Sequence, residues 1–206
     1  KRPCFHDEYL PTFNQDNVLL VDTDGKGVTK IDKSGVWVGD THYDLDCIIF
    51  ASGFDFNTDY THRSEFEVTG RDGLTLTKKW ADGMETYHGM HVHQFPNMFI
   101  MGLFQGANLG ANVTSNYTDA SITLAEIIHH AEKNRHSEVE VDSIVEQLWV
   151  KAIEDTPASF IGGNDCTPGY YNNEGQPEGR RQTLNMGGYP LGPVAFFDYI
   201  EEWRSS

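Results

Sequence analysis

Residues 98–112 read Met98-Phe99-Ile100-Met101-Gly102-Leu103-Phe104-Gln105-Gly106-Ala107-Asn108-Leu109-Gly110-Ala111-Asn112. A short apolar run enters a glycine, a loop of small residues and amides follows, and a helical pattern then extends to about Asn134. Such an apolar run reads as a buried strand. Glycine and alanine let a planar ligand approach the loop backbone closely. The helix N-terminus adds unpaired N–H groups and the positive end of the helix dipole, so strand, loop and helix together form an acceptor for an anion or a dipole. The loop is neither GxGxxG nor GxxxxGK[ST], so it is not a phosphate cradle of either kind. A tight strand-to-helix connection would use the same residues.

Upstream, Asp46-Cys47-Ile48-Ile49-Phe50-Ala51 is a second apolar run, expected as a strand buried on both faces of a parallel sheet, and it ends in Ser52-Gly53-Phe54. Asn17 to Thr23 reads as a short buried strand. Gly27 to Asp32, Val36 to Val38 and Thr41 to Leu45 form an expected antiparallel meander, with turns at Asp24-Gly25 and Lys33-Ser34-Gly35. Asp7 to Asn14 could hold a short helix limited by Pro11. Residues 55–95 are irregular and polar.

Downstream, the long helix carries Leu124, Ile128 and Ala131 at helical spacing, with Ile127 beside them. Ser143 and Glu146 make a capping box before a second helix bearing Val145, Leu148, Trp149 and Ala152, which Pro157 stops. Residues 159–190 read as a long loop, and a last helix starts near Pro193 with Phe196, Ile200 and Trp203 on one face.

The 206 residues carry 15 Lys and Arg against 31 Asp and Glu, a net charge of −16. That balance disfavours nucleic acid and an anionic membrane surface, and no apolar run is long enough to span a bilayer. Cys4, Cys47 and Cys166 form no CxxC, which suits a reducing, cytoplasmic setting. The chain lacks an initiating Met, and its first residues read like the interior of a protein, so a fragment is expected.

Other constellations point to less. His88, His91 and His93 in HGMHVH could offer imidazoles to a metal, but no HExxH, CxxC or fourth ligand accompanies them, so no metal site is expected. Glu138, Glu140, Asp142, Glu201 and Glu202 read as solvated surface. Ser52 is not in a GxSxG elbow. The sequons at Asn112 and Asn116 lack a secretory signal.

Several segments in order resemble one family. Ile48-Ile49-Phe50-Ala51-Ser52-Gly53-Phe54-Asp55 is similar to the "ATGF(D)" strand end of class B flavin monooxygenases, and Phe95-Pro96-Asn97-Met98-Phe99 to their "GFPN(L/M)F" stretch. Lys1-Arg2-Pro3 and Tyr9 to Thr23 resemble the segment that returns from the NADP domain. The run from Cys166 to Gly175, then Gly187-Gly188-Tyr189 and Phe196 to Arg204, resembles the ending of the Baeyer–Villiger branch.

The resemblance implies an α/β fold, the C-terminal half of a two-dinucleotide-binding-domain flavoprotein. Residues 1–23 would be the return segment, 24–134 the C-terminal part of a Rossmann-like FAD domain with a small β-meander, and 135–206 a C-terminal helical region and lid loop. Both GxGxxG motifs, the FxGxxxHxxxW fingerprint and the catalytic arginine would lie upstream of Lys1, so this chain would hold no catalytic residue and no turnover of its own. Ala107, Asn108, Leu109, Ala111 and Asn112 would flank FAD, with the helix aimed at the flavin N1/O2 edge. Ala51, Ser52 and Gly53 would be the interdomain hinge, Ser52 keeping the hydroxyl of the usual Thr. Phe160 would stand where relatives carry a Trp that contacts the NADP ribose, without the indole N–H. The loop from Phe160 to Tyr189 would be a mobile lid over NADP and substrate.

The implied partners are NADP(H), O2, a ketone that becomes an ester or lactone, and the missing N-terminal part. N- or S-oxygenation by a flavin-containing monooxygenase, or a non-catalytic half-domain served by a partner chain with the GxGxxG motifs, would fit the same residues.

Overall fold

The computed structural model describes residues 5–53, 60–156, 169–176 and 179–206. The chain divides into two compact units, Lys1–Gly53 and Phe54–Ser206.

The first unit contains a four-residue helix, α1 (Tyr9–Thr12), and a three-stranded antiparallel meander in the order β1 (Lys30–Asp32), β2 (Gly35–Val38), β3 (Thr41–Asp44). Pro11 sits inside the single turn of α1, where no N–H is needed from it. Register pairs Lys30 with Trp37 and Trp37 with His42. Asp32 closes the β1–β2 turn: it accepts from the Ser34 N–H at 3.0 Å and from Trp37 Nε1 at 2.7 Å. The meander therefore forms where the turn residues promised it.

The two apolar runs of this unit do not form strands. Residues 17–23 and 46–51 are irregular, with Leu19, Leu20, Ile49 and Phe50 exposed (72%, 72%, 86% and 77%). A strand buried on both faces needs hydrogen-bonded neighbours on each side and layers above and below it. No such neighbours occur among the described residues.

The second unit is helical. It contains α2 (Tyr60–Ser64), α3 (Leu76–Lys79), α4 (Val113–Lys133), α5 (Ser143–Glu154), α6 (Arg180–Met186) and α7 (Gly192–Ser205). The run Met98 to Met101 forms no strand; the Ile100 N–H donates to Met90 O at 2.8 Å. α4 ends at Asn134, as its pattern predicts. Its buried face is Asn116, Thr123 and Ala131, whereas Ile128 is exposed.

α5 begins one residue earlier than a capping box at Ser143 would place it. Asp142 is the N-cap, accepting from Ile144 N–H at 2.8 Å. Glu146 is buried instead and holds Lys79 Nζ and the His93 N–H, each at 2.7 Å. The inward face of α5 is consequently Glu146, Trp149, Val150 and Ile153, and Leu148 is 65% exposed.

One core joins Ala107, Trp149, Val150, Ile153, Leu184, Phe196 and Ile200. A smaller cluster joins Leu76, Val92 and Phe95. Within the expected long loop, residues Tyr170–Gly175 form a 3-10 turn, and α6 buries Leu184 and Met186 in the core.

Candidate functional site

The loop between residues 98–101 and α4 is built from behind. Gln105 is completely buried with φ +59. Its backbone N–H donates to Gly187 O at 2.8 Å and its carbonyl accepts from Trp149 Nε1 at 2.9 Å. Trp149 is held in turn by stacking on Tyr189 and Tyr199, with centroids at 5.3 and 5.8 Å. Gly106 O accepts from the Tyr189 N–H at 2.8 Å. A Cβ on Gly106 would lie 3.0 Å from the Phe196 ring, a contact so tight that the ring would have to shift by a few tenths of an ångström.

The residues read from the sequence as cofactor-flanking take different positions. Ala107 is buried in the main core. Asn108 adopts φ +56 and opens a 3-10 turn to Gly110; its Nδ2 donates to Met186 O at 2.7 Å. Leu109 lies in that same turn. Ala111 is half-buried, and Gly110 and Asn112 are exposed. Asn112 is the N-cap of α4: its side chain accepts from the Thr114 N–H at 2.9 Å and the Ser115 N–H at 3.4 Å. Asn116 is buried and donates to Asn112 O and Asn108 O, which leaves no room for glycan attachment there. The first turn of α4 holds no acidic residue, so its positive end is not neutralised locally.

The loop therefore has an inward side, Gln105 to Asn108, and an outward side, Gly110 to Asn112, opening onto the N-terminus of a 21-residue helix. Small residues on the outward side and a first helical turn without a carboxylate fit the electron-rich edge of a planar cofactor.

The other candidates diverge. His88 and His91 are buried. Burial, then the neighbouring His91, lowers the His88 pKa to about 3; burial alone lowers His91 to about 4, so both are neutral. His88 stacks on Tyr87 at 3.6 Å and shares a 3.3 Å hydrogen bond with the Tyr199 hydroxyl. His93 Nδ1 turns instead to Val141 O at 3.0 Å. Among the described residues no group of three His, Cys, Asp or Glu could hold a metal.

Glu138 and Glu140 are not simply solvated, since both pair with Arg71, and Glu140 also accepts the Gln94 N–H. Ala51, Ser52 and Gly53 are exposed, Gly53 has φ +100, and the division between the units falls directly after it. Phe160 and Cys166 lie outside the described residues.

Sequence reasoning missed Gln105, Trp149 and the segment from Leu184 to Tyr189 as the loop's supports. A lone amide inside the apolar run Leu103-Phe104-Gln105-Gly106 was the available signal, because an amide in such a setting must find partners.

No family model matches the chain. It is 42% identical over 209 residues to pentalenolactone D synthase of Streptomyces exfoliatus, covering all of this chain and 35% of that protein. It is also 42% identical over 206 residues to a Baeyer–Villiger monooxygenase of Stachybotrys chlorohalonatus, covering 99% of this chain and 32% of the other. The chain thus spans about a third of the length of these relatives.

Among solved structures, polycyclic ketone monooxygenase from Thermothelomyces thermophila superposes with a TM-score of 0.85 at 32% identity, over all of this chain and 34% of that one. OTEMO in complex with FAD and NADP gives a TM-score of 0.61 at 28% identity, over 72% of this chain and 27% of that one. Along its whole length the chain is similar to the C-terminal portion of Baeyer–Villiger monooxygenases, which are two-dinucleotide-domain flavoproteins.

Proposed function

We propose that the chain forms the flavin-flanking loop and C-terminal cap of an FAD- and NADPH-dependent Baeyer–Villiger monooxygenase. The full-length enzyme would insert one atom of O2 into a ketone, giving an ester or lactone, while the second atom leaves as water and NADPH supplies the electrons. The observation that carries this reading is the match of the whole chain to about a third of such enzymes, and the first turn of α4, which carries no acidic residue, suits the flavin-flanking role.

The flavin, when bound, supplies the redox and oxygen chemistry. The chain's own residues bind and orient. Backbone groups of Leu109 and Ala111 would approach the ring, Ala107 and Asn108 would shape the loop from its inward side, and Asn112 would hold the first turn of α4 in shape. The N–H dipoles of that turn would stabilise negative charge on the facing edge of the ring. No carboxylate in the first turn opposes this. Ala51, Ser52 and Gly53 would allow the domains to reorient, and Phe160 would face NADP. The catalytic arginine would come from the remaining two thirds of the enzyme, so the 206-residue chain alone would have no turnover. A cytoplasmic location belongs to the same reading.

The test is expression of the gene that contains this sequence. A yellow product with flavin absorbance that consumes NADPH and O2 and turns a cyclic ketone into a lactone supports the reading. A yellow protein that oxygenates sulfides or amines but no ketone moves it to the N/S-oxygenating branch. A colourless product carrying no GxGxxG motif contradicts it and requires a partner chain.

A further inference from the structure

We infer that Gln105 and Asn108 are positioning residues that clamp the flavin-flanking loop onto the Leu184–Tyr189 segment of the same chain. The inference rests on the monooxygenase reading and adds to it the part of the chain that sets where the loop stands.

Gln105 uses every polar atom it has. Its Oε1 accepts from the Thr86 N–H at 3.1 Å and the Thr86 hydroxyl at 2.6 Å. Its Nε2 donates to Leu184 O at 3.0 Å and also to Met84 O. Its backbone adds the bonds to Gly187 O and from Trp149 Nε1. Asn108 adds the bond to Met186 O, and its own N–H donates to Leu103 O at 2.9 Å.

Four neighbouring residues of one segment, Leu184, Met186, Gly187 and Tyr189, are therefore bonded to three neighbouring residues of the loop, Gln105, Gly106 and Asn108. The two stretches also touch without slack. A Cβ on Gly188 would lie 2.7 Å from Asn108 Cβ and 3.2 Å from Gly106 O. Both amide residues hold left-handed backbone, with φ +59 and +56, a conformation that persists only where the surroundings enforce it.

All of these bonds lie on the inward side, and Gly110 and Asn112 remain exposed in front. An arrangement fixed behind and free in front sets the position of the loop surface without filling it. Oxygen insertion requires the ketone and the cofactor in a near-attack arrangement, and a displacement of about 1 Å can cost on the order of a hundredfold in rate. Loosening the clamp would therefore be felt in substrate placement before it is felt in cofactor retention.

The test uses the full-length enzyme. Gln105→Glu keeps the length and the acceptor for Thr86 but turns an oxygen toward the carbonyls of Met84 and Leu184. Asn108→Asp removes the donor to Met186 at a half-buried position. Glu146→Gln alters an equally buried polar site that touches Lys79 and His93, away from the loop. The readouts are ketone KM, kcat, product formed per NADPH consumed, flavin absorbance and Tm.

Both loop variants should stay yellow, raise ketone KM about tenfold and lower product per NADPH severalfold. Glu146→Gln should lower Tm and leave both quantities unchanged. If the loop variants lower Tm but leave KM and the product ratio as in wild type, the amides are ordinary core groups and the inference falls. If Gln105→Glu does not fold, Asn108→Asp decides alone. A wild-type enzyme that binds no flavin or makes no oxygenated product brings down the monooxygenase reading, and the inference with it.

Discussion

Phe50 lies in an apolar run that the sequence marks as a buried strand and Leu184 in a stretch that it marks as loop, yet Phe50 is 77% exposed and Leu184 is completely buried. The contrast extends to their units. Among the described residues, every buried apolar side chain lies in the Phe54–Ser206 unit and none in Lys1–Gly53. The reason is where each element finds its backbone partners. A helix satisfies its N–H and C=O groups internally, so α4, α5, α6 and α7 form and can then pack on one another. A parallel-type strand satisfies nothing alone. Residues 17–23 and 46–51 carry the composition of strands but lie beside no partner among the described residues. The meander survives because its three strands follow one another directly and pair through tight turns.

The largest expected effect follows from that contrast. Backbone amides of residues 46–51 should exchange with solvent almost freely in the 206-residue chain. In the full-length enzyme they should be protected by roughly a thousandfold or more, as sheet amides are. Equal, fast exchange in both would remove the idea that this run waits for strand partners. The core of the second unit supplies the next test. Ile153→Ala should destabilise the isolated chain by about 2–5 kcal/mol, whereas Phe50→Ala there should change stability by less than about 0.5 kcal/mol. Denaturant titration distinguishes the two.

The third expectation concerns pH. His88 and His91 have folded pKa values of about 3 and about 4, below the ordinary value of 6.5. Below pH 6.5 the unfolded chain binds protons that the folded chain refuses, so stability is full above that pH. It is lost progressively as the pH falls toward about 4. Tm measured from pH 7.5 down should decline in that window, and His88→Phe should flatten the decline. A Tm that rises on acidification would contradict the burial of these rings. The smallest effect belongs to the loop's own cap: Asn112→Ala should cost about 1 kcal/mol and Asn112→Asp close to nothing, read by thermal unfolding.

Much of the second unit was legible in the sequence. The boundary of α4 at Asn134 and the start of α7 beside Pro193, like the meander of the first unit, follow from local rules of capping, proline and turns. What was not legible depends on long-range contacts. The inward face of α5 is shifted from the expected one because the buried Glu146 takes its place opposite Lys79 and the His93 N–H, partners far away in sequence. Helical spacing alone does not reveal them.

The same holds at the candidate site. The loop of small residues and the helix behind it could be read directly. The clamp from Leu184 to Tyr189 could not, since about eighty residues separate its two sides and the region around α6 looks like loop in composition. Asn108 illustrates the cost: an amide in a ligand-flanking loop suggests a side chain aimed at the ligand, but here it faces Met186 O.

The decisive measurement is a single-turnover reaction of the full-length, flavin-loaded protein with NADPH, isotopically labelled O2 and a cyclic ketone. One labelled oxygen atom in the ring of a lactone, with none from water, is the predicted result. Consumption of NADPH and O2 with no labelled lactone or ester from any ketone would contradict the placement of this chain beside the flavin of a Baeyer–Villiger monooxygenase.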